Sequence, residues 1–312
     1  MKTGFCFILI LPLLYITQLM AASDIKVLVS IKPFHSLVSA IMQDVSEPLL
    51  LINGNNSPHS YALRPSSAEN LQQADLVFWG GEILEGFLTK PLQSLASRAK
   101  LVSLQETAGL RLLPLRSGIV WQKHETDSTN DHSAEDETTS TSGTDPHIWL
   151  DPYNAKIISA KIVEILTAMD PQNAQSYRIN GEKYGLRLEL LDRKLKAEMT
   201  KVAETPYMVF HDAYQYFEKK YQLNVIGAVT LHLGYGSSVR RLKTVRKTIK
   251  KEKIRCIFSE PQFSPKLLQT VTAGTNVKQG TLDPLGAGLE SGPELYFILL
   301  NNLSHNISSC LN

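Results

Sequence analysis

Short apolar runs alternate with segments of helical periodicity along almost the whole chain after Asp24. The runs that predict buried strands are 25–30, 49–52, 76–79, 207–210, 225–229, 254–259 and 276–281. The segments that predict helices are 34–42, 66–73, 213–221, 237–253, 266–272 and 293–309, and Ser66 or Ser67 can cap the second of them. Strands that alternate with helices indicate parallel strands joined by crossover helices, so the predicted fold class is α/β with mostly parallel sheets.

Two Asp-Pro pairs predict the starts of helices in the middle of the chain. Asp can cap a helix and Pro fits its first turn, and this arrangement occurs at Asp151-Pro152 and again at Asp170-Pro171. After the second pair, apolar residues recur at spacings of three, four and seven as far as Val202. The spacing predicts one helix over 171–203, about 50 Å long, which is enough to span two lobes.

Composition and charge narrow the class of protein. The chain has 312 residues, of which 43% are apolar and 20% charged, so it is globular and long enough for two domains. Lys and Arg number 32 against 30 for Asp and Glu, which is not the basic excess of a nucleic-acid-binding protein. The predicted helix 237–253 holds eight Lys or Arg, but no aromatic residues interleave with them, which favours a solvated face over a nucleic-acid patch.

The first 22 residues have the order of a signal peptide. Lys2 precedes an apolar stretch from Phe5 to Ile16, and the small pair Ala21-Ala22 follows as a cleavage site. The alternative is a membrane anchor, but the apolar stretch is shorter than the ~20 residues that a span needs. Export leaves two cysteines in the mature chain, Cys256 and Cys310, which are expected to form a disulfide in an oxidising compartment. The alternative is that Cys256 is a plain buried thiol.

Residues 117–144 interrupt the alternating pattern. Eleven of these 28 residues are Ser or Thr, six are acidic and one is Lys. A segment of this composition cannot bury enough apolar surface to order itself, so we expect a mobile acidic insertion within the first lobe.

Three histidines flank apolar runs. His59 follows the second predicted strand in a polar loop, His211 follows the strand 207–210, and His147 precedes the apolar triplet 148–150. Ligands of open α/β sheets bind at the carboxyl ends of the strands, and neutral imidazoles suit zinc. The residues alone leave two alternatives, a metal site or histidines that are merely hydrogen-bonded. Signatures of nucleotide hydrolases, serine hydrolases and zinc proteases are missing from the sequence.

Five ordered motifs carry a resemblance to a known family. They are PHSYALRPSSAENLQQADLVFWGG at 58–81, HIWLDP at 147–152, FHDAYQYFE at 210–218, SEPQFSP at 259–265 and GTLDPLG at 280–286. The chain resembles the periplasmic zinc-binding subunit of bacterial high-affinity ABC importers, in the metal-ion cluster of solute-binding proteins, from about Asp24 to Cys310.

The resemblance implies two (β/α) lobes joined by one long rigid helix. The N-terminal lobe would cover 23–170, the linking helix 171–203 and the C-terminal lobe 204–312. The family's zinc ligands fall on His59, His147 and His211, and its disulfide falls on Cys256 and Cys310. Its mobile, His-rich insertion falls on 117–144.

Two departures from the family concern metal binding. Pro58 stands where some relatives carry a Glu before the first ligand histidine, and the insertion holds only His124 and His132 as possible auxiliary zinc ligands. The fourth ligand stays open: Asp283 matches an acidic ligand of the manganese branch, and Glu260 and a water are the alternatives. Three imidazoles favour zinc over manganese.

The resemblance thus implies a function in transport and not in catalysis. The expected protein is a periplasmic monomer that captures Zn²⁺ between its lobes and delivers it to a membrane permease, while a separate ATPase supplies the energy. No nucleic acid and no membrane insertion after cleavage are expected. The alternatives are a zinc-dependent hydrolase with Glu260 as base, or a surface adhesin on the same fold.

Overall fold

A computed structural model describes residues 25–118, 120–121, 143–230 and 239–312. The predicted signal peptide lies outside the described residues, as does most of the predicted insertion with His124 and His132. In the described ranges, no helix combines the length and the apolar character needed to cross a membrane.

The first lobe is built on a four-stranded sheet of parallel strands in the order β2-β1-β3-β4. Its strands are β1 (Val27–Val29), β2 (Leu49–Leu50), β3 (Leu76–Trp79) and β4 (Lys100–Ser103). Its helices are α1 (Lys32–Ile41), α2 (Pro65–Gln73), α3 (Glu82–Glu85) and α4 (Thr89–Leu95). The inner strand β1 is buried along its whole length, as expected of a parallel strand covered on both faces. Arg64 and Pro65 begin α2, so the predicted caps Ser66 and Ser67 are wrong: Pro takes the first helical position instead.

The second lobe repeats this plan with the order β6-β5-β7-β8, again all parallel. Its strands are β5 (Tyr207–His211), β6 (Val225–Thr230), β7 (Cys256–Ser259) and β8 (Lys278–Thr281). Its helices are α7 (Gln215–Tyr221), α8 (Val239–Lys251), α9 (Pro265–Thr272) and α10 (Leu295–Leu311). The predicted fold class, two α/β lobes with parallel sheets, is confirmed.

Two helices connect the sheets, α5 (Pro152–Met169) and the long α6 (Ala174–Met199), which joins the lobes. The Asp151 carboxylate accepts the N–H of Tyr153 at 2.9 Å and caps α5 as predicted. Asp170 acts differently, because its carboxylate accepts from the side chains of Asn173 and Tyr177. The chain therefore makes a 3-10 turn at Pro171–Asn173 before α6 begins. The helix has 26 residues and is about 39 Å long, shorter at both ends than the sequence pattern predicts.

Buried contacts join the two lobes along α1 and α10. The ammonium of Lys32, the first residue of α1, donates to the backbone carbonyls of Gly286, Ala287 and Leu289 at 3.3, 2.9 and 2.7 Å. The hydroxyl of Tyr296 in α10 donates to the carbonyl of Trp149 at 2.6 Å. Lobes connected in this way hold the residues between them in fixed positions.

Cys256 and Cys310 form a disulfide between β7 and α10, which confirms the predicted pair. Cys256 is the first residue of β7, so the bridge attaches the last turn of α10 to the amino end of the second sheet.

Candidate metal centre

Three imidazoles meet where the lobes face each other. His211 is the last residue of β5, His147 precedes a 3-10 turn at Ile148–Leu150, and His59 lies in the loop after β2. One ring nitrogen from each lies within 4.8 Å of those of the other two, and the Nε2 atoms of His59 and His147 are 3.3 Å apart. Four-coordinate zinc accepts ligands with this spacing, so these three side chains form a candidate metal centre.

Asp145 orients His147. Its Oδ1 atom lies 2.7 Å from Nδ1 of His147 and also accepts the backbone N–H of His147 at 2.9 Å. With Nδ1 as the donor, the lone pair of Nε2 is available toward the centre. Burial lowers the pKa of His147, so its imidazole is held in the neutral form that a metal requires. Burial also raises the pKa of Asp145 to about 7.

Glu260 faces His211 at a longer distance and without a hydrogen bond. Its Oε1 atom lies 3.4 Å from Nδ1 of His211, and both side chains are buried. Burial opposes the charged form of the imidazole, but the carboxylates of Glu260, Asp212 and Asp145 together outweigh it and raise the pKa of His211. Glu260 thus supplies the negative charge next to the second buried histidine.

The centre opens into a small cavity that has room for one water-sized particle, with a volume of about 10 Å³. Its lining includes the three histidines, Glu260 and Gln262, together with apolar side chains. The rings of Trp149 and Phe263 lie 5.4 and 6.0 Å from those of His147 and His211. An ion here would be surrounded by nitrogen ligands, the polar side chains of Glu260 and Gln262, and apolar surface.

Asp283, the predicted fourth ligand, is not in the histidine group. Its carboxylate accepts from the side chain of Gln262 at 3.2 Å. It also accepts the backbone N–H groups of Leu285, Gly286 and Ala287, so it stabilises the turn that follows β8. Its role as a metal ligand stays a prediction that this geometry does not favour.

Arg116 is the residue that sequence reasoning missed. Its guanidinium donates to Asp212, next to His211, with Nε 3.0 Å from Oδ1, and to Glu218 at 2.6 Å from Oε2. Arg116 also stacks on Trp121, with 3.7 Å from its Cζ to the ring centroid. Burial raises the pKa of Glu218 to about 7, although the positive charge of Arg116 acts to lower it. The only sequence signal was the position of Asp212 beside a candidate ligand.

The family model for the zinc-uptake complex component A, periplasmic, matches residues 27–310 of the chain. The chain belongs to this family. Members are components of uptake systems and not enzymes, so the prediction that the chain is not an enzyme is confirmed and the hydrolase alternative is wrong.

Curated relatives of the family match along nearly their whole length. The high-affinity zinc uptake system protein ZnuA of Brucella suis biovar 1 (strain 1330) is 39% identical over 305 residues, which cover 92% of this chain and 91% of the relative. The protein of the same name from Yersinia pestis is 34% identical and covers 91% of each chain.

Solved structures share the fold. The crystal structure of a ZnuA superposes with a TM-score of 0.76 at 24% identity and covers 93% of this chain and all of that chain. A ZnuA deletion variant with zinc bound also has a TM-score of 0.76 at 24% identity and covers 93% of this chain and 99% of its own. The periplasmic zinc-binding protein TroA from Treponema pallidum has a TM-score of 0.76 at 20% identity, with 93% and 99% covered.

Proposed function

We propose that this protein captures Zn²⁺ between its two lobes and delivers it to a membrane permease for high-affinity uptake. The observation that carries the proposal is the meeting of His59, His147 and His211, three ring nitrogens within 4.8 Å of one another. The family and the zinc-uptake relatives support the same cargo.

The ligand set favours zinc over harder cations. Imidazole nitrogen suits zinc, whereas manganese and magnesium prefer carboxylate, carbonyl and water oxygens. Asp145 bonds to Nδ1 of His147, and Glu260 faces Nδ1 of His211 at 3.4 Å, so that Nε2 of each ring is left for the ion. The fourth position then falls to a water or to Glu260, which lines the cavity.

Calorimetric zinc titration tests the capture step. The His211→Ala variant should lose tight binding, because two imidazoles do not fill a zinc site. The matched control is His305→Ala, which removes an exposed histidine in α10 and should bind as the unaltered protein does. Unchanged zinc affinity in His211→Ala would refute the site.

The delivery step involves partners of a different kind. The family describes one component of an uptake complex in the periplasm, and we infer that this chain, as a monomer, meets a permease whose transport a separate ATPase drives. Loss of the protein should impair growth in chelated medium, and added zinc should restore it. A gene with the three histidines replaced by alanine should not restore growth; if it does, the centre is not the transport site.

A further inference from the structure

A stripe of lysines runs along the solvent side of α8. Lys243, Lys247 and Lys250 recur at intervals of four and three, which places them on one helix face, and all three are exposed. The opposite face holds Val245 and Ile249, which are buried in the core of the second lobe.

The stripe continues toward the amino-terminal ends of β7 and β8 in the second sheet. Lys250 lines a concavity of about 470 Å³ together with Lys253, Arg255 and Lys278. Lys253 and Lys278 are exposed, while Arg255 donates to the backbone carbonyl of Asn312 at 2.9 Å. We call Lys243, Lys247, Lys250, Lys253 and Lys278 the lysine face.

The lysine face gathers exposed cations that have no paired carboxylate among the described residues. Several surface cations elsewhere do pair with carboxylates, as Lys156 does with Glu189 at 2.5 Å and Arg187 with Glu294 at 2.6 Å. Within the part of the chain that the structure describes, no carboxylate forms an ion pair with any lysine of this face. The neighbouring Glu252 pairs with Lys251. The lysine face therefore presents unpaired positive charge to solvent.

The chemistry of the face fits a polyanion. The apolar side of α8 is buried in the core of the second lobe, so the described part of the helix exposes no apolar face that could insert into a bilayer. Its contact with a bilayer would therefore be electrostatic. The lining of the concavity contains no aromatic side chain on which bases could stack, which disfavours single-stranded nucleic acid. A periplasmic protein faces bilayers, whose anionic headgroups attract clusters of this size.

We propose that the lysine face binds anionic phospholipid headgroups at a bilayer surface. This contact leaves the metal centre accessible. Lys278 begins β8 and Lys253 lies just before β7, whereas His211 ends the parallel strand β5. The part of the lysine face at Lys253 and Lys278 thus lies at the opposite end of the strands from His211. The proposed lipid binding does not depend on zinc, so its test is independent of the proposed transport function.

Co-sedimentation with vesicles tests the proposal, using the chain from residue 23 onward. One set of vesicles is pure phosphatidylcholine and the other contains phosphatidylglycerol, each at several salt concentrations. The protein should bind only the anionic vesicles and should dissociate at high salt, where surface charges are screened. Replacement of Lys247, Lys250, Lys253 and Lys278 by Gln should weaken the partition about fivefold for each lysine removed.

The matched control replaces four lysines elsewhere, Lys90, Lys100, Lys183 and Lys201, by Gln. All four are exposed, so the net charge changes equally and the lysine face stays intact. This control should bind as the unaltered chain does, and both variants should keep their zinc affinity and melting temperature. Equal binding to neutral and anionic vesicles, or equal loss in both variants, would overturn the proposal. Binding to polyglutamate without binding to vesicles would overturn it in favour of an acidic protein partner.

Discussion

Oδ1 of Asp145 holds both the ring and the backbone of His147, at 2.7 Å from Nδ1 and 2.9 Å from the backbone nitrogen. Two hydrogen bonds to one oxygen determine the tautomer and the orientation of the ring. The Nε2 atom is thereby directed toward His59, 3.3 Å away. The position of this candidate ligand therefore depends on the side chain of Asp145.

Asp145→Asn should lower the zinc affinity about 10-fold, because the neutral amide no longer raises the basicity of His147. Competition with a chelating dye measures the change. Asp44→Asn is the control, since it removes the same charge from an exposed residue whose φ of 63° suits Asn. An equal loss of affinity in both variants would show that net charge matters and orientation does not.

Glu260 and Asp283 should respond differently to the loss of their charge. Glu260→Gln should weaken zinc binding at least about 10-fold, because the carboxylate lies 3.4 Å from Nδ1 of His211. Asp283→Asn should leave the affinity nearly unchanged and reduce thermal stability, because this carboxylate serves backbone N–H groups. The opposite ranking of affinities would identify Asp283 as the fourth ligand.

Arg116→Met should destabilise the protein by about 3 to 5 kcal/mol, because it leaves Asp212 and Glu218 buried without their cation. Urea unfolding measures the loss. Arg187→Met is the matched control: the Arg187–Glu294 pair is about half exposed, so its removal should cost less than about 1 kcal/mol. Similar losses in the two variants would mean that the Arg116 cluster stabilises no more than a surface pair.

Periodicity along the sequence predicted most of the secondary structure, because buried strands and amphipathic helices leave local patterns. It missed β4, whose residues are exposed or only partly buried at the edge of the first sheet and include just two apolar side chains. The strand ends also indicated where His59 and His211 would lie, whereas His147 lies before a 3-10 turn. Arg116 could not be found this way, since its partners are 96 and 102 residues away and its cluster exists only after the lobes pack.

Removal of the disulfide should destabilise the chain without affecting the metal centre. The bridge spans 54 residues, and closing such a loop stabilises by about 4 kcal/mol on the chain-entropy model. Chemical unfolding of a Cys256→Ala, Cys310→Ala double variant should show this loss. Its zinc affinity should be unchanged, because Cys256 lies at the amino-terminal end of β7, whereas His211 lies at the carboxyl-terminal end of the parallel strand β5. A concurrent loss of zinc affinity would show that the disulfide and the histidine group are coupled.

Glu85 should make stability depend on pH. Burial raises its pKa from 4.5 to about 7, so between these values the folded state binds its proton more tightly than the unfolded state does. This stabilisation is fully present below about pH 4.5 and is lost as the pH rises through about 7, a difference of about 3 kcal/mol. The free energy of unfolding of Glu85→Gln should therefore rise, relative to that of the unaltered protein, between pH 5 and pH 8. Urea unfolding at the two pH values measures the difference. Parallel pH profiles would contradict the shift.

The three carbonyl oxygens that receive the Lys32 ammonium belong to the second lobe, whereas Lys32 begins the first helix of the other lobe. Rotation of one lobe would separate this ammonium from all three acceptors, in a place where the side chain is only 6% exposed and water cannot easily replace them. These hydrogen bonds therefore fasten the two lobes to each other. An arriving ion therefore meets an assembled cage, and its binding energy is not consumed in drawing two bodies together. Preorganisation of this kind favours tight capture, and it leaves release to the loops around His59 and Phe263.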